Sequence, residues 1–169
     1  MTDQRHMIRL DKKPQLFTFR VAGLIFHNDH LLVQRGARDS YWALPGGRAE
    51  IGESSEQTII REMQEEIDRT VKIERLLFTT ELFFSFDDYR AHELGFYYLL
   101  NIDIPLPFHT DEIVHRVIDG PTEVLFRWMP ATAAAFEAFD IRPAFLGSYM
   151  GHLPERVEHL IVDEGKPRS

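Results

Sequence analysis

"LPGGRAEIGESSEQTIIREMQEEI", Leu44 to Ile67, places two adjacent glycines ahead of a helix-like stretch crowded with acid. Ser54 with Gln57 three residues on fits a capping box and predicts a helix starting near Ser55. Ile59, Ile60, Met63 and Ile67 recur at helical spacing and supply its buried face. Glu62, Glu65 and Glu66 then share an arc of about 100° beside that face. Glu62 is a like-charge neighbour of both others, each pair costing a few tenths of a kcal/mol, and no lysine or arginine lies on the arc. Taken alone, three glutamates read as a solvated acidic face. A hard divalent cation such as Mg²⁺, which prefers oxygen ligands, is the reading that accounts for the crowding.

The formal net charge of the 169 residues is −8. Glu50 to Asp68 hold seven acids against Arg61, a net of −6, so the acidity is a local property of this stretch. The balance disfavours a nucleic acid polymer or an anionic membrane as partner. With 44% hydrophobic and 12% aromatic residues the chain reads as globular. No apolar run approaches a membrane span, and no secretory leader is apparent, so a cytoplasmic location is expected. The absence of cysteine excludes disulfides, thiolate metal sites and a cysteine nucleophile.

Outward from the acidic stretch, "FTFRVAGLIFHNDHLLVQR" predicts a hairpin turning at Asn28-Asp29, and "YWALP" a short strand. Val71 to Asn101 predicts a second hairpin with a longer loop at "DDYRAHE". "DIPLPFHTDEIVHRVIDGPTE" reads as irregular and "VLFRWM" as a strand, followed by helices at "ATAAAFEAF" and "PAFLGSYM". One domain over 1–169 is expected, with an N-terminal arm at 1–15 and a mobile tail at 164–169. The aromatic residues Phe83, Phe84, Phe86, Phe96, Tyr97 and Tyr98 read as core. The eight histidines form no metal-ligand spacing; His92 and His109, in polar segments, are the ones to examine.

The order Gly47, Glu53, Arg61-Glu62-Met63, Glu65-Glu66 resembles the Nudix box, the signature of the Nudix hydrolase family. It covers 23 residues, and the preceding hairpin and "LPGG" resemble the family's usual entry. The family pattern continues with a glycine and an aliphatic residue where this chain has Asp68 and Arg69. Asp68 would sit just past the helix end, where aspartate tolerates a left-handed conformation better than most residues, so a shifted or slightly strained end is expected.

The resemblance implies an α/β (α+β) fold, an α/β/α sandwich with a mixed sheet between helices. It implies hydrolysis of a nucleoside diphosphate linked to another group, a small-molecule substrate, with Mg²⁺ or Mn²⁺. By motif position Glu62, Glu65 and Glu66 are the metal ligands, with a Gly47 carbonyl as a further one. Arg61 orients the carboxylates, and Glu53 is an outer ligand or support. The general base is open between a box glutamate and an acid such as Glu93 or Asp111. Arg20, Arg35, Arg38 and Arg48 flank the box and are candidates for substrate phosphates, with plain surface charge as the alternative. The family's cysteine-dependent isomerase branch is set aside. No proline follows the box before Pro105, unlike some ADP-ribose-cleaving members, and the coenzyme A motif is not reproduced. Nucleoside triphosphates, nucleotide sugars and ADP-ribose stay open, as does a non-catalytic sensor. The family also forms homodimers, to which no stretch of this sequence points.

Overall fold

The computed structural model describes residues 6–165. In chain order it contains β1 (Arg9–Lys12), β2 (Gln15–His27), β3 (His30–Gly36), β4 (Trp42–Ala43), β5 (Gly46–Arg48), α1 (Ser55–Ile67), β6 (Val71–Phe86) and β7 (Tyr89–Ile102). There follow β8 (His115–Asp119), β9 (Thr122–Pro130), α2 (Ala133–Ala138), β10 (Ile141–Arg142), a 3-10 helix (Ala144–Tyr149) and β11 (Glu158–Gly165). One mixed sheet runs β10-β4-β3-β2-β7-β6-β11, with β1 and β5 added to β2 and the β8–β9 hairpin to β3. The pairs β2–β7, β6–β11 and β4–β10 are parallel.

Alternation along β2 divides the core between two faces. Val21 and Ile25 pack with Ile59, Met63 and Ile67 of α1, whereas Ala22 and Leu24 pack with Phe136 of α2 and Leu146 of the 3-10 helix. The expected α+β sandwich, a mixed sheet between helices, is thus present. Both halves of the capping box form: Ser54 Oγ accepts from the Gln57 N–H at 3.1 Å, and Gln57 Oε1 from the Ser54 N–H at 2.8 Å. At the other end Asp68 is left-handed, with φ 51° and ψ 48°, and its N–H bonds the Met63 carbonyl. Asn28 and Asp29, both with positive φ, make the tight turn between β2 and β3.

Several expectations need correction. Ile60 is 44% exposed rather than core, because Ile59, Met63 and Ile67 already fill the narrow buried stripe. The loop of the second hairpin is Asp87-Asp88 alone, and Tyr89 to Glu93 are strand. The segment read as irregular contains β8, which pairs with β9 through a Gly120-Pro121 turn. "PAFLGSYM" forms a 3-10 helix instead of an α-helix. Tyr97 and Tyr98 are core, but Phe86 is exposed. In the 1–15 arm, Arg9 to Lys12 pair with β2. Glu164 and Gly165 of the expected tail belong to β11, while residues 1–5 and 166–169 lie outside the described residues.

A left-handed β-branched residue is costlier than aspartate. Asp68→Val is expected to lower the urea-unfolding free energy by about 1–2 kcal/mol, whereas Asp68→Gly leaves it no lower.

Candidate active site

The acidic helix presents its carboxylates to the glycines that precede it. Gly46 and Gly47 lie in β5, opposite Ala22 and Val21 of β2. The Gly46 N–H donates to Glu66 Oε2 at 3.2 Å. Gly47 faces α1 so closely that an added Cβ would lie 2.2 Å from Glu62 Oε1 and 2.5 Å from Oε2. The glycine there is required by close approach, not by a turn.

Arg61 organises the group. Its Nε and Nη2 make a two-pronged contact with Glu53, at 2.7 and 2.9 Å. Nη1 donates to Glu62 Oε1 at 2.8 Å and lies 3.5 Å from Glu65 Oε2, while Nη2 also reaches the Arg48 carbonyl at 3.3 Å. Glu53 in addition accepts from the buried Thr58 hydroxyl at 3.0 Å. Arg61 pulls the Glu53 carboxyl down to about 2 and is itself raised by Glu53. Glu62 is raised, because burial outweighs what Arg61 returns. Glu66 is pushed up to about 8 by burial and then by the Glu62 charge, against the opposing pull of Arg20 and the Gly46 N–H. The last turn of α1 has no basic side chain, so Glu65 and Glu66 also stand at the unfavourable end of the helix dipole.

Among the described residues no three His, Asp or Glu side chains converge as a formed metal cage. Arg61 draws Glu53, Glu62 and Glu65 onto itself and takes the place of a counter-ion. The donor set nevertheless fits a hard divalent cation: it is all oxygen, burial and then neighbouring carboxylates raise Glu62 and Glu66, and a side-chain-free backbone lies against Glu62.

Of the candidate arginines, the sheet register sets Arg20 directly opposite Arg48. Arg20 donates to the Leu44 carbonyl at 3.1 Å, and its charge bears on both Glu62 and Glu66. Arg35 instead stacks over Trp42 at 4.7 Å and reaches the Asp39 carbonyl. Arg38 is exposed on the following loop. Asp111 is drawn toward Arg127 at 3.7 Å, and Glu93 lies on the sheet face turned away from α1, bonded to Thr18 at 3.2 Å. His92 stacks on Phe83, and His109 is exposed. Two residues escaped the sequence reading: Asp119, whose charge acts on Glu66, and His115, whose Nε2–H donates to the Glu66 carbonyl at 2.8 Å. The Gly120-Pro121 pair carried a turn signal that could have revealed both.

The structure is an α+β sandwich in which carboxylates of one helix are set against a short glycine strand. The NUDIX domain model matches residues 17–146, and the chain belongs to that family. YjhB of Bacillus subtilis (strain 168), provisionally named an ADP-ribose pyrophosphatase, is 37% identical over 57 residues. That match spans 34% of this chain and 27%, about a quarter, of YjhB. The MutT protein of Bacillus halodurans superposes with a TM-score of 0.57 at 14% identity, covering 86% of this chain and 89% of that one. An ADP-ribose pyrophosphatase of Streptococcus suis 89-1591 gives 0.52 at 14% identity, covering 86% and 98%. At these identities the two structures attest the fold. No helix among the described residues is long and apolar enough to cross a membrane.

The pKa shifts fix the sign of a pH response. Glu66 binds its proton more tightly in the folded chain than in the unfolded one, as does Glu62. Native stability therefore falls as pH rises from about 4.5 to about 8. Glu53 acts in the opposite sense, its contribution being lost as pH falls from about 4.5 toward 2. For metal-free protein the denaturation midpoint is expected to be lower at about pH 8 than at about pH 5, and Glu66→Gln to remove much of that difference.

Proposed function

We propose that the chain hydrolyses the diphosphate linkage of a nucleoside diphosphate joined to another group, with Mg²⁺ or Mn²⁺ held by Glu62, Glu65 and Glu66. The observation that carries this reading is the gathering of Glu62 and Glu65 on Arg61, with Glu62 against Gly47 and Glu66 on the Gly46 N–H, in a chain of the NUDIX domain family. The provisional name of YjhB supports the same class of reaction. When bound, the cation neutralises the phosphates and acidifies a water molecule, the charge stabilisation that attack on a diphosphate needs.

The chain's own groups do the rest. Arg61 positions Glu62 and Glu65 and ties the helix to the Glu53 loop, and Gly47 gives the Glu62 carboxylate its room, with its carbonyl as a further ligand. Arg20 and Arg48 take substrate phosphate oxygens through their guanidinium forks. Asp119, exposed at the end of β8 and with its charge acting on Glu66, is our candidate outside α1 to receive a proton from water. Arg35 and Arg38 have no hydrogen bond or ion pair to these glutamates among the described residues, and take no part in the reading.

The test is release of phosphate or nucleoside monophosphate from nucleoside triphosphates, nucleotide sugars, ADP-ribose and dinucleotides, with and without Mg²⁺. Metal-dependent cleavage, reduced at least about tenfold in Glu66→Gln, is expected. Mg²⁺-dependent nucleotide binding without turnover by the wild type would favour a sensor instead. In Gly47→Ala the new methyl meets the flexible end of Glu62, so folding should persist while Mg²⁺ affinity, read by calorimetry, falls about 10- to 100-fold.

A further inference from the structure

The sheet face turned away from α1 carries three successive rows of side chains, each crossing five strands. The first is Glu158, Phe78, Tyr97, Ala22 and Gly46; the second Leu160, Thr80, Gly95, Arg20 and Arg48; the third Val162, Leu82, Glu93, Thr18 and Arg9. The core beneath α2 and the 3-10 helix takes in Phe78, Tyr97, Ala22 and Leu160. Arg20 and Arg48 in the second row, and Glu93 and Arg9 in the third, keep part of their surface open beyond it.

The second row holds an imbalance. Arg20 and Arg48 are directly opposite cross-strand partners of like charge, an unfavourable arrangement. None of the ion pairs among the described residues involves either one. An anion between the two guanidinium groups would relieve this, and a diphosphate reaching from the α1 carboxylates would arrive there, since Arg20 bears on Glu62 and Glu66 as well.

One row further the chemistry reverses. Glu93 faces the same side, within electrostatic reach of Arg20 and Arg48 and, more weakly, of Glu164, and its Oε2 accepts from the Thr18 hydroxyl at 3.2 Å. Arg9, the cation of that row, is engaged by Asp11 at 2.6 Å. A further phosphate placed here would meet a carboxyl whose neighbouring cations, Arg20 and Arg48, are already taken by the diphosphate. Ionised, Glu93 would repel it; neutral, it would leave the added charge uncompensated. A hydroxyl group suits the position in either state, because a carboxyl accepts from it when ionised and exchanges hydrogen bonds with it when protonated.

Resting on the hydrolase reading above, the geometry points to a substrate whose diphosphate is followed by an uncharged, hydroxyl-bearing group, a sugar or ribose, with Glu93 as the residue that selects it over a third phosphate. Glu93 is a specificity determinant that touches the substrate's hydroxyls, outside the acidic helix and its Gly-Glu-Arg signature.

The experiment compares kcat/KM for ADP-ribose and UDP-glucose with that for ATP and UTP, using the full chain with Mg²⁺, as wild type and as Glu93→Gln. The wild type is expected to favour the sugar-bearing substrates at least about tenfold, and Glu93→Gln to lose most of that preference through KM, with less than about threefold change on the triphosphates. Thr18→Ala, which only releases the Glu93 carboxylate, should shift the preference the same way by a smaller factor and guards against a folding defect in the first variant. Wild-type preference for triphosphates, or an equal loss on both classes in Glu93→Gln, would overturn the inference and leave the hydrolase reading standing. Calorimetric titration of ADP-ribose and ATP into Glu66→Gln separates the two further. Tighter, Glu93-dependent binding of ADP-ribose without wild-type turnover would sustain the inference and sink the hydrolase; equal affinities would overturn the inference by themselves.

Discussion

The structure around the acidic helix depends on where the Arg61 guanidinium is held. Five N–H donors on one planar group meet Glu53 in a two-pronged contact, reach Glu62 and Glu65 on its own helix, and touch the Arg48 carbonyl of β5. One side chain thus joins three pieces of backbone: the loop before the helix, the helix and the short glycine strand. Lysine could supply the charge but not the simultaneous directions. The same contacts explain why the two ends of the carboxylate group differ. Glu53, paired twice, is driven well into the ionised range, whereas Glu66, beyond the reach of Arg61 and close to Glu62, is driven toward its neutral form.

That asymmetry gains meaning from β5. The strand is three residues long and two of them lack side chains, so it separates the helix carboxylates from Arg20 by little more than a backbone. Gly47 turns to α1 and admits Glu62; Arg48, next along, turns to the opposite face beside Arg20. A bulkier strand would insulate the two sides. As built, the helix acids and the two arginines lie around one thin edge.

The sequence made the helix and its charges legible because their signals are local. Capping residues, the Ile59, Met63, Ile67 stripe and the three-glutamate arc all lie within two or three turns. The failures have a common cause in pairing over long range. Nothing in "RLDK" announces β1, whose four residues are all exposed and which is a strand because β2 lies beside it. β11 is likewise defined by its parallel partner β6, about 80 residues earlier in the chain, and only alternate positions along it are shielded. β8 was hidden by nearby prolines, although its Gly120-Pro121 pair is a turn signal. With β8 went Asp119 and His115, which reach the helix only through that hairpin. The candidate arginines show the same limit, since proximity in sequence to the acidic stretch recommended Arg35 and Arg38 as strongly as Arg20 and Arg48. Register distinguishes their positions: Arg20 lies opposite Arg48, whereas Arg35 stacks over Trp42.

The local excess of acid is therefore only half of an electrostatic arrangement. A helix with a net charge this negative and no base in its last turn is poor as a structural element, and paired, unbridged arginines in a sheet are poor as well. Moving the two groups together would let them neutralise one another as ordinary ion pairs. The fold instead holds them on either side of a glycine strand, where Glu62 and Glu66 feel Arg20 without bonding to it. Arg61 answers part of the acidic charge, and the field of Glu93 part of the charge on Arg20 and Arg48. A diphosphate accompanied by a divalent cation would add the missing charge of each sign at once, so its binding would relieve what these internal partners leave over.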